Sequence, residues 1–480
     1  MSDKGTMFMI QEKIKTGILI ALVISSLFFT KQIWFGDKLW SSDYNFFANW
    51  RKTSTEQMIP NKEDLVNPLH FVVNRGEFQL VYGDHQPAYR QLNDLLQDVY
   101  STLFSEPQVA HEEVSVVQWY DILNGRAPYY YIDFGIVSSV KALGQIFGIS
   151  DTDVSSYVSS FQQSMIVPGD ALSRNISIYI KDNHNQNIHK FQLPYSKTQF
   201  KALNEQSRKS FEIRHAFSFQ LGFDTPKENS KITIAPEILI PVDRQQVYAI
   251  QGDNALDVEK NETREHILRA FQYTPNTLRQ YVDTDNTVVY TENHSTLKIS
   301  PDGLIEYRAL ESGRGMRLTD THRDIAPTEY DSLNMAIELM QQVGKINPHL
   351  HLTSDIVEDP NRPGVHRFTF DYYYNGYPIL MQLENTTLRN AIEIEIVNGT
   401  LRYYRQYVRD YSLKQLVNVN VPMLHAVEDY YNRANIYPEQ MHIMQLGIGY
   451  VDKGSDMMKL PHWYLKLTDE DVYHTIPAVR

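Results

Sequence analysis

The segment Thr16–Phe35, TGILIALVISSLFFTKQIWF, constrains this chain more than any other: its twenty residues carry one charge, Lys31, among Leu, Ile, Val and Phe. At 1.5 Å rise per residue, a helix of that length spans roughly 30 Å, the thickness of a bilayer's hydrocarbon core. One transmembrane helix is therefore expected over residues 16–35. Lys31 sits near its outer end, where a long stem reaches the headgroups, and Trp34 and Trp40 are placed as interfacial anchors. Lys4, Lys13 and Lys15 precede the apolar run, so residues 1–15 are expected in the cytoplasm and the bulk outside. No small-residue cleavage pattern follows the apolar core, and the chain has no cysteine to carry a lipid, so the segment reads as a retained anchor.

Gly17, Ala21 and Ser25 recur every four residues along the anchor, with Ser26 and Thr30 alongside. Small-xxx-small faces let two membrane helices approach closely, and hydroxyls add hydrogen bonds across the contact. These five residues are the candidate partner-binding face.

Residues 36–480 are long enough for about three domains with cores of their own. The formal net charge is −13, and an acidic surface disfavours nucleic acid, which binds through clustered Lys and Arg. The absence of cysteine excludes disulfides, zinc–thiolate sites and cysteine nucleophiles, so the outer part must be stable through its packing alone.

Residues 36–62 are polar, without a sustained period, and read as a juxtamembrane spacer. A first domain is expected over 63–240, a second over 241–320 and a third over 321–480. Leu69–Val73 and Phe78–Val81 read as strands around the Asn74-Arg-Gly76 turn. Leu92, Leu95, Leu96, Val99 and Leu103 keep helical spacing, which predicts a helix over 88–104. Strands are expected at 113–119 and 129–134, and a helix near 138–147. Phe211, Ile213, Phe217, Phe219, Leu221 and Phe223 alternate with polar or small residues, which predicts a long strand.

Further on, a helix over 262–272 precedes a three-strand meander at 287–291, 296–299 and 304–307. A helix begins after Ala326, with Asp331 as expected N-cap and Gly344 as stop. Strands follow at 365–374, 378–383 and 392–396, and Asn398-Gly399 turns the chain into 401–407. Pro422 opens a helix with Leu424, Val427 and Tyr431 on its apolar face, before strands at 441–450 and 463–467. The fold class is therefore α+β, with mostly antiparallel sheets, packed helices and three extracytoplasmic domains behind the anchor.

The search for chemistry finds little. No Gly-rich phosphate loop, His-Glu-x-x-His or Gly-x-Ser-x-Gly is present. Ser138-Ser-Val-Lys141 and Ser295-Thr-Leu-Lys298 match the Ser-x-x-Lys of penicillin-recognising enzymes, but Ser-Asp-Asn is missing. The only Lys-Thr-Gly is Lys15-Thr16-Gly17, at the membrane entrance. Glu393 and Glu395 lie roughly 6.8 Å apart along one expected strand, a spacing a glycosidase pair uses. Ile392, Ile394 and Ile396 occupy the alternate positions, so the glutamates read as the solvated face. His349 with His351, and His184 with His189, lack a third ligand at metal spacing and read as surface or loop histidines. Tyr129-Tyr-Tyr131 and Tyr372-Tyr-Tyr374 fall within strands and read as core and cross-strand packing. No catalytic residue, metal or cofactor is expected.

Several stretches resemble the YycH family of low-GC Gram-positive bacteria. They are Lys13-Ile-Lys15, the anchor segment LVISSLFFTKQIW at 22–34, Leu297-Lys-Ile-Ser-Pro-Asp-Gly-Leu-Ile-Glu-Tyr307, Ile392-Glu-Ile-Glu-Ile396 with Asn398-Gly399, and Leu460-Pro-His-Trp463. Their order and spacing carry the resemblance, which extends over nearly the whole chain. The family typically has tryptophan where Lys31 stands. The resemblance implies a non-enzymatic membrane-anchored regulator of a cell-wall two-component system. Its implied partners are the sensor histidine kinase WalK/YycG, met through the transmembrane helices, and a single-pass companion, YycI. It also implies three outer domains, the last two similar to the companion's. Two readings compete: an anchored cell-wall hydrolase, and a surface scaffold or chaperone for exported proteins.

Overall fold

The computed structural model describes residues 65–479 apart from 75, 77–78, 85, 108, 170–174, 195–212, 226–231, 275–277, 293, 311–313, 319–325, 345–348, 383–387, 434–440, 455–456, 469 and 471. The expected tail, anchor and spacer lie outside the described residues, and with them Gly17, Ala21, Ser25, Ser26 and Thr30. Among the described residues no helix is long and apolar enough to cross a membrane.

Ten strands come first: β1 (His70–Asn74), β2 (Gln79–Tyr82), β3 (Ala110–Val114), β4 (Tyr130–Ser139), β5 (Ser160–Pro168), β6 (Asn175–Lys181), β7 (Ile188–Pro194), β8 (Arg214–Phe217), β9 (Ile232–Ile234) and β10 (Leu239–Pro241). All but β9 form one antiparallel sheet in the order β10-β8-β2-β1-β4-β5-β6-β7-β3. Helix α1 (Pro87–Ser105) has the expected spacing and buries Leu92, Leu95, Leu96, Val99 and Leu103 in the same core as Tyr130, Ile132 and Phe134 of β4. Helix α3 (Val140–Ile146) adds Leu143 and Ile146 to that core.

The opposite face is covered by α2 (Val116–Asn124), where Trp119 and Leu123 pack with Val72, Tyr129, Tyr131 and Phe217. A strand was expected here. Instead the Ser115 hydroxyl accepts a hydrogen bond from the Gln118 N–H and caps a helix, so Trp119 is buried from a helix. The Tyr129–Tyr131 run behaves as expected, its rings buried alternately on the two faces.

The long strand expected over 211–223 is not one. β8 ends at Phe217, and a 3₁₀ turn over Ser218–Leu221 follows, closed by Gly222 at φ 68°. The Gln220 side chain reaches back to the Phe217 N–H, and the Ser218 hydroxyl donates to Ala235 O. Phe217 meets Tyr131 at 5.2 Å and Phe219 meets Tyr120 at 5.0 Å. The alternation reflects aromatic burial around one cluster, which a turn delivers as well as a strand.

The remaining chain supplies β11 (Gln246–Asn254), β12 (Arg279–Val282), β13 (Val288–Glu292), β14 (Ser295–Ile299), β15 (Leu304–Ala309), β16 (Met316–Arg317) and β17 (Leu350–Leu352). Then come β18 (Val365–Tyr374), β19 (Tyr377–Met381), β20 (Ile392–Val397), β21 (Thr400–Tyr407), β22 (Arg409–Asn418) and β23 (Met441–Asp452). The last are β24 (Met458–Lys459), β25 (Pro461–Leu467) and β26 (Tyr473–Pro477). The second sheet runs β12-β13-β14-β15-β21-β20-β18-β19-β23-β25-β26, with β9, β16 and β17 added at the side, and β22-β11-β24 form a small third sheet. Pairing is antiparallel except that β19 and β9 run parallel to β23.

The meander, the three strands before residue 400 and the Asn398-Gly399 hairpin form as expected. Both turn residues are left-handed, at φ 49° and 74°, the geometry that favours Asn-Gly. Helix α4 (Asn261–Ala270) packs beside α5 (Glu329–Val343). The N-cap of α5 is Thr328, and Asp331 is its N3 partner in a reciprocal capping box, three residues from the expected cap. In α6 (Met423–Arg433), Val427 is buried and Tyr431 packs against the core as expected, but Leu424 is 42% exposed, and Met423 and Ala426 fill the face in its place.

Candidate functional site: a tyrosine-lined cleft between the sheets

A cleft of about 900 Å³ opens between the first sheet and the β19–β23–β25–β26 side of the second. Volumes of that size are typical of ligand sites. On the first sheet, His70, Asp133 and Gln163 stand opposite one another on neighbouring β1, β4 and β5. His215 lies on β8 nearby, and Lys181 ion-pairs with Glu237 at 3.0 Å. On the second sheet the wall is aromatic: Tyr373 on β18, Tyr464 on β25 and Tyr473 on β26. Tyr464 and Tyr473 meet edge to face at 5.7 Å, and the Tyr473 hydroxyl donates to Gln445 Oε1 at 2.8 Å.

Two glycines place Tyr464. It stands opposite Gly447 on β23, where an added Cβ would lie 2.7 Å from the phenol oxygen, and one on Gly449 would lie 3.2 Å from Cδ1. The ring thus rests against bare backbone, a contact only glycine leaves room for.

The two sheets are stitched together at one end of the cleft. His351 Nε2 lies 3.3 Å from Asp84 Oδ2, which follows β2, and His349 Nδ1 lies 4.0 Å from the same oxygen. The Val137 N–H donates to Asp355 Oδ1, and the backbones of Val137, Ser139 and Ile356 exchange hydrogen bonds. Beside this seam the His351 ring meets Tyr373 at 4.8 Å.

Burial sets the electrostatics. It lowers the affinity of His70 for a proton, against the pull of Asp133 and Asp84, and brings His215 down to about 4. Asp371 is raised to about 6 by burial, although the Ala391 N–H and the Asn390 amide donate to its carboxylate. Burial also lifts the Tyr464 hydroxyl to about 12, with Asp133 adding to the shift, and raises Tyr373 and Tyr473. At neutral pH the cleft therefore presents uncharged imidazoles and protonated phenols.

The sequence candidates fall elsewhere. Ser138 is buried at the end of β4 while Lys141 is exposed on α3, and Ser295 hydrogen-bonds Tyr273 while Lys298 points to the other face of β14. Neither serine has its lysine as a base. Glu393 is buried, contrary to the solvated face expected. β20 lies inside the sheet, and Arg367 and Arg405 reach Glu393 from the flanking strands at 3.2 and 3.9 Å. Glu395 is half-buried. His184 and His349 are exposed as expected, but His189 and His351 are buried, His189 in a 2.9 Å contact with His111. Among the described residues no group of histidines and carboxylates has the arrangement of a metal site.

The cleft was not visible in the sequence, because its walls come from positions between 69 and 473. The one local signal was Leu446-Gly-Ile-Gly-Tyr450, alternate glycines in a strand, which marks a close approach.

No protein-family model matches the sequence, and no curated protein is similar to it. Among solved structures, the crystal structure of YycH from Bacillus subtilis superposes with a TM-score of 0.59 at 13% identity, covering 89% of this chain and 100% of that one. Identity that low speaks to fold alone, and over the full length of the solved YycH chain the fold of this protein is that of YycH.

Proposed function

We propose that the protein is a non-enzymatic, membrane-anchored accessory regulator of a WalK/YycG-type sensor histidine kinase, acting with a YycI-like companion. The observation that carries this reading is the YycH fold over the whole of the solved YycH chain. The apolar segment at 16–35 and the ordered family-like stretches of the sequence support it. In this reading the N-terminus is cytoplasmic, the bulk is extracytoplasmic, and the outer part is organised as domains over 63–240, 241–320 and 321–480. The anchor lies beside the kinase's helices and makes contact through Gly17, Ala21, Ser25, Ser26 and Thr30. Regulation requires that the anchor bind one kinase state better than the other, since equal binding shifts nothing.

The test is mild cross-linking in intact cells, followed by detergent extraction and identification of what is bound to the tagged full-length protein. Recovery of one sensor kinase and one small single-pass protein is expected, both lost when residues 16–35 are exchanged for an unrelated helix. Recovery of neither overturns the reading. Ala21→Leu, which forces the helices apart, should weaken kinase recovery while leaving the outer part folded; unchanged recovery removes the small-residue face from the proposal.

A further inference from the structure

We propose that the cleft between the sheets is a binding site for an uncharged oligosaccharide. The inference stands apart from the kinase reading, since it rests on the cleft's chemistry alone.

Sugars present two kinds of surface: hydroxyls that both donate and accept, and C–H faces that settle on aromatic rings. The cleft offers a counterpart to each. Tyr464 lines it half-exposed, and with Gly447 and Gly449 behind the ring its accessible surface is the part turned to the cleft. Tyr473 buttresses that ring edge to face at 5.7 Å.

Polar groups converge around the rings. The hydroxyls of Tyr373 and Tyr464 have no hydrogen-bond partner among the described residues, and both stay protonated, so they are donors awaiting an acceptor. Gln245 lines the cleft, is 8% exposed, and its buried Oε1 has no partner among the described residues, an acceptor awaiting a donor. Gln163 adds an amide from the facing sheet, and Asp133 and Asp371 add carboxylate oxygens.

Other ligand classes fit less well. Lys181 is neutralised by Glu237, His70 and His215 are held uncharged, and the remaining lysine of the lining, Lys466, stands over the Tyr473 ring at 5.9 Å in a lining that also holds Asp133, Asp371 and Glu470, so among the described residues the cleft is no cationic cradle for an anion. Where Asp133 and Gln163 face Tyr464, the walls are β4, β5 and β25 paired within their sheets, so an extended peptide finds no edge to extend there.

The experiment titrates full-length protein in lipid nanodiscs with maltotriose, cellotriose and chitotriose, read by saturation-transfer NMR and calorimetry. Saturable binding of at least one trisaccharide is expected, weakened about tenfold or more by Tyr464→Ala on one wall and by Gln163→Leu on the other. Tyr464→Phe, which keeps the ring, should retain most of the affinity and guards against misfolding of the alanine variant. No saturable binding of any of the three at millimolar concentration overturns the proposal, as does binding that neither variant changes. Displacement of the sugar by an uncharged hexapeptide at equal concentration would assign the cleft to another class and overturn it too.

Discussion

The most demanding residue in the molecule is Asp452, fully buried at the end of β23. Arg409 Nε donates to it at 3.1 Å, the Tyr411 hydroxyl at 2.9 Å, and Lys459 Nζ lies 3.3 Å away. Removing one member of a buried ionic group leaves its partners desolvated and uncompensated. Asp452→Ala should therefore destabilise the protein by roughly 3–5 kcal/mol in denaturant titrations. A double replacement, Arg409→Met with Asp452→Leu, should cost less than Asp452→Leu alone, which leaves both Arg409 and Lys459 without their carboxylate. The cleft titrates in opposing senses. His215 is neutral in the fold down to about pH 4, but its unfolded counterpart protonates near 6.5, so the unfolded state binds more protons between those values. Its stabilisation is complete above pH 6.5 and is lost as the pH falls toward 4. Asp371, protonating near 6 in the fold and near 3.8 unfolded, works the other way across that window. Denaturation midpoints compared at neutral pH and at about pH 5 should show a smaller acid loss in His215→Gln and a larger one in Asp371→Asn.

At the scale of elements, α5 offers a clean measurement. Thr328 and Asp331 satisfy each other's backbone N–H groups, and Thr328→Ala should cost about 1 kcal/mol by thermal or chemical unfolding. Elements governed by local rules were legible in the sequence: α1 from its spacing, the hairpin from Asn398-Gly399, and the meander from its turns. Elements decided by what they pack against were not. The run at 213–223 alternates because Phe217 and Phe219 serve one aromatic cluster, and side-chain bonds from Gln220 and Ser218 break the strand. In α6 the core takes Val427 and Tyr431 as their spacing suggested, but Met423 and Ala426 rather than Leu424. Glu393 looked solvent-facing because the arginines that cover it stand 26 and 12 positions away in sequence, on other strands. The cleft residues were hidden for the same reason, since nothing local announces that Asp133 will face Tyr464.

At the scale of the whole molecule, one core cluster runs from α1 and β4 through α5 into β18, β20 and β23, so the sheets are not separately filled. Ile356 is buried in that cluster at the seam, where it bonds to Val137 and Ser139. Ile356→Ala should cost about 2–5 kcal/mol and lower hydrogen-exchange protection in both sheets together. Protection lost from the second sheet alone would mean that the seam does not couple them. The arrangement of strands also sets an order of events during synthesis. Every strand of the first sheet lies within His70–Pro241, so that sheet closes while much of the chain is still on the ribosome. β9, made just before β10, and β11, made just after it, have to wait: Thr233 meets His442 across 209 positions, and Gln246 meets Asn418 across 172. Until the C-terminal strands arrive, both are open edges of the kind that recruit the wrong neighbour. A premature stop late in the chain would therefore do its damage near residue 232, leaving a nascent protein whose first half is finished and whose middle has nothing to hold.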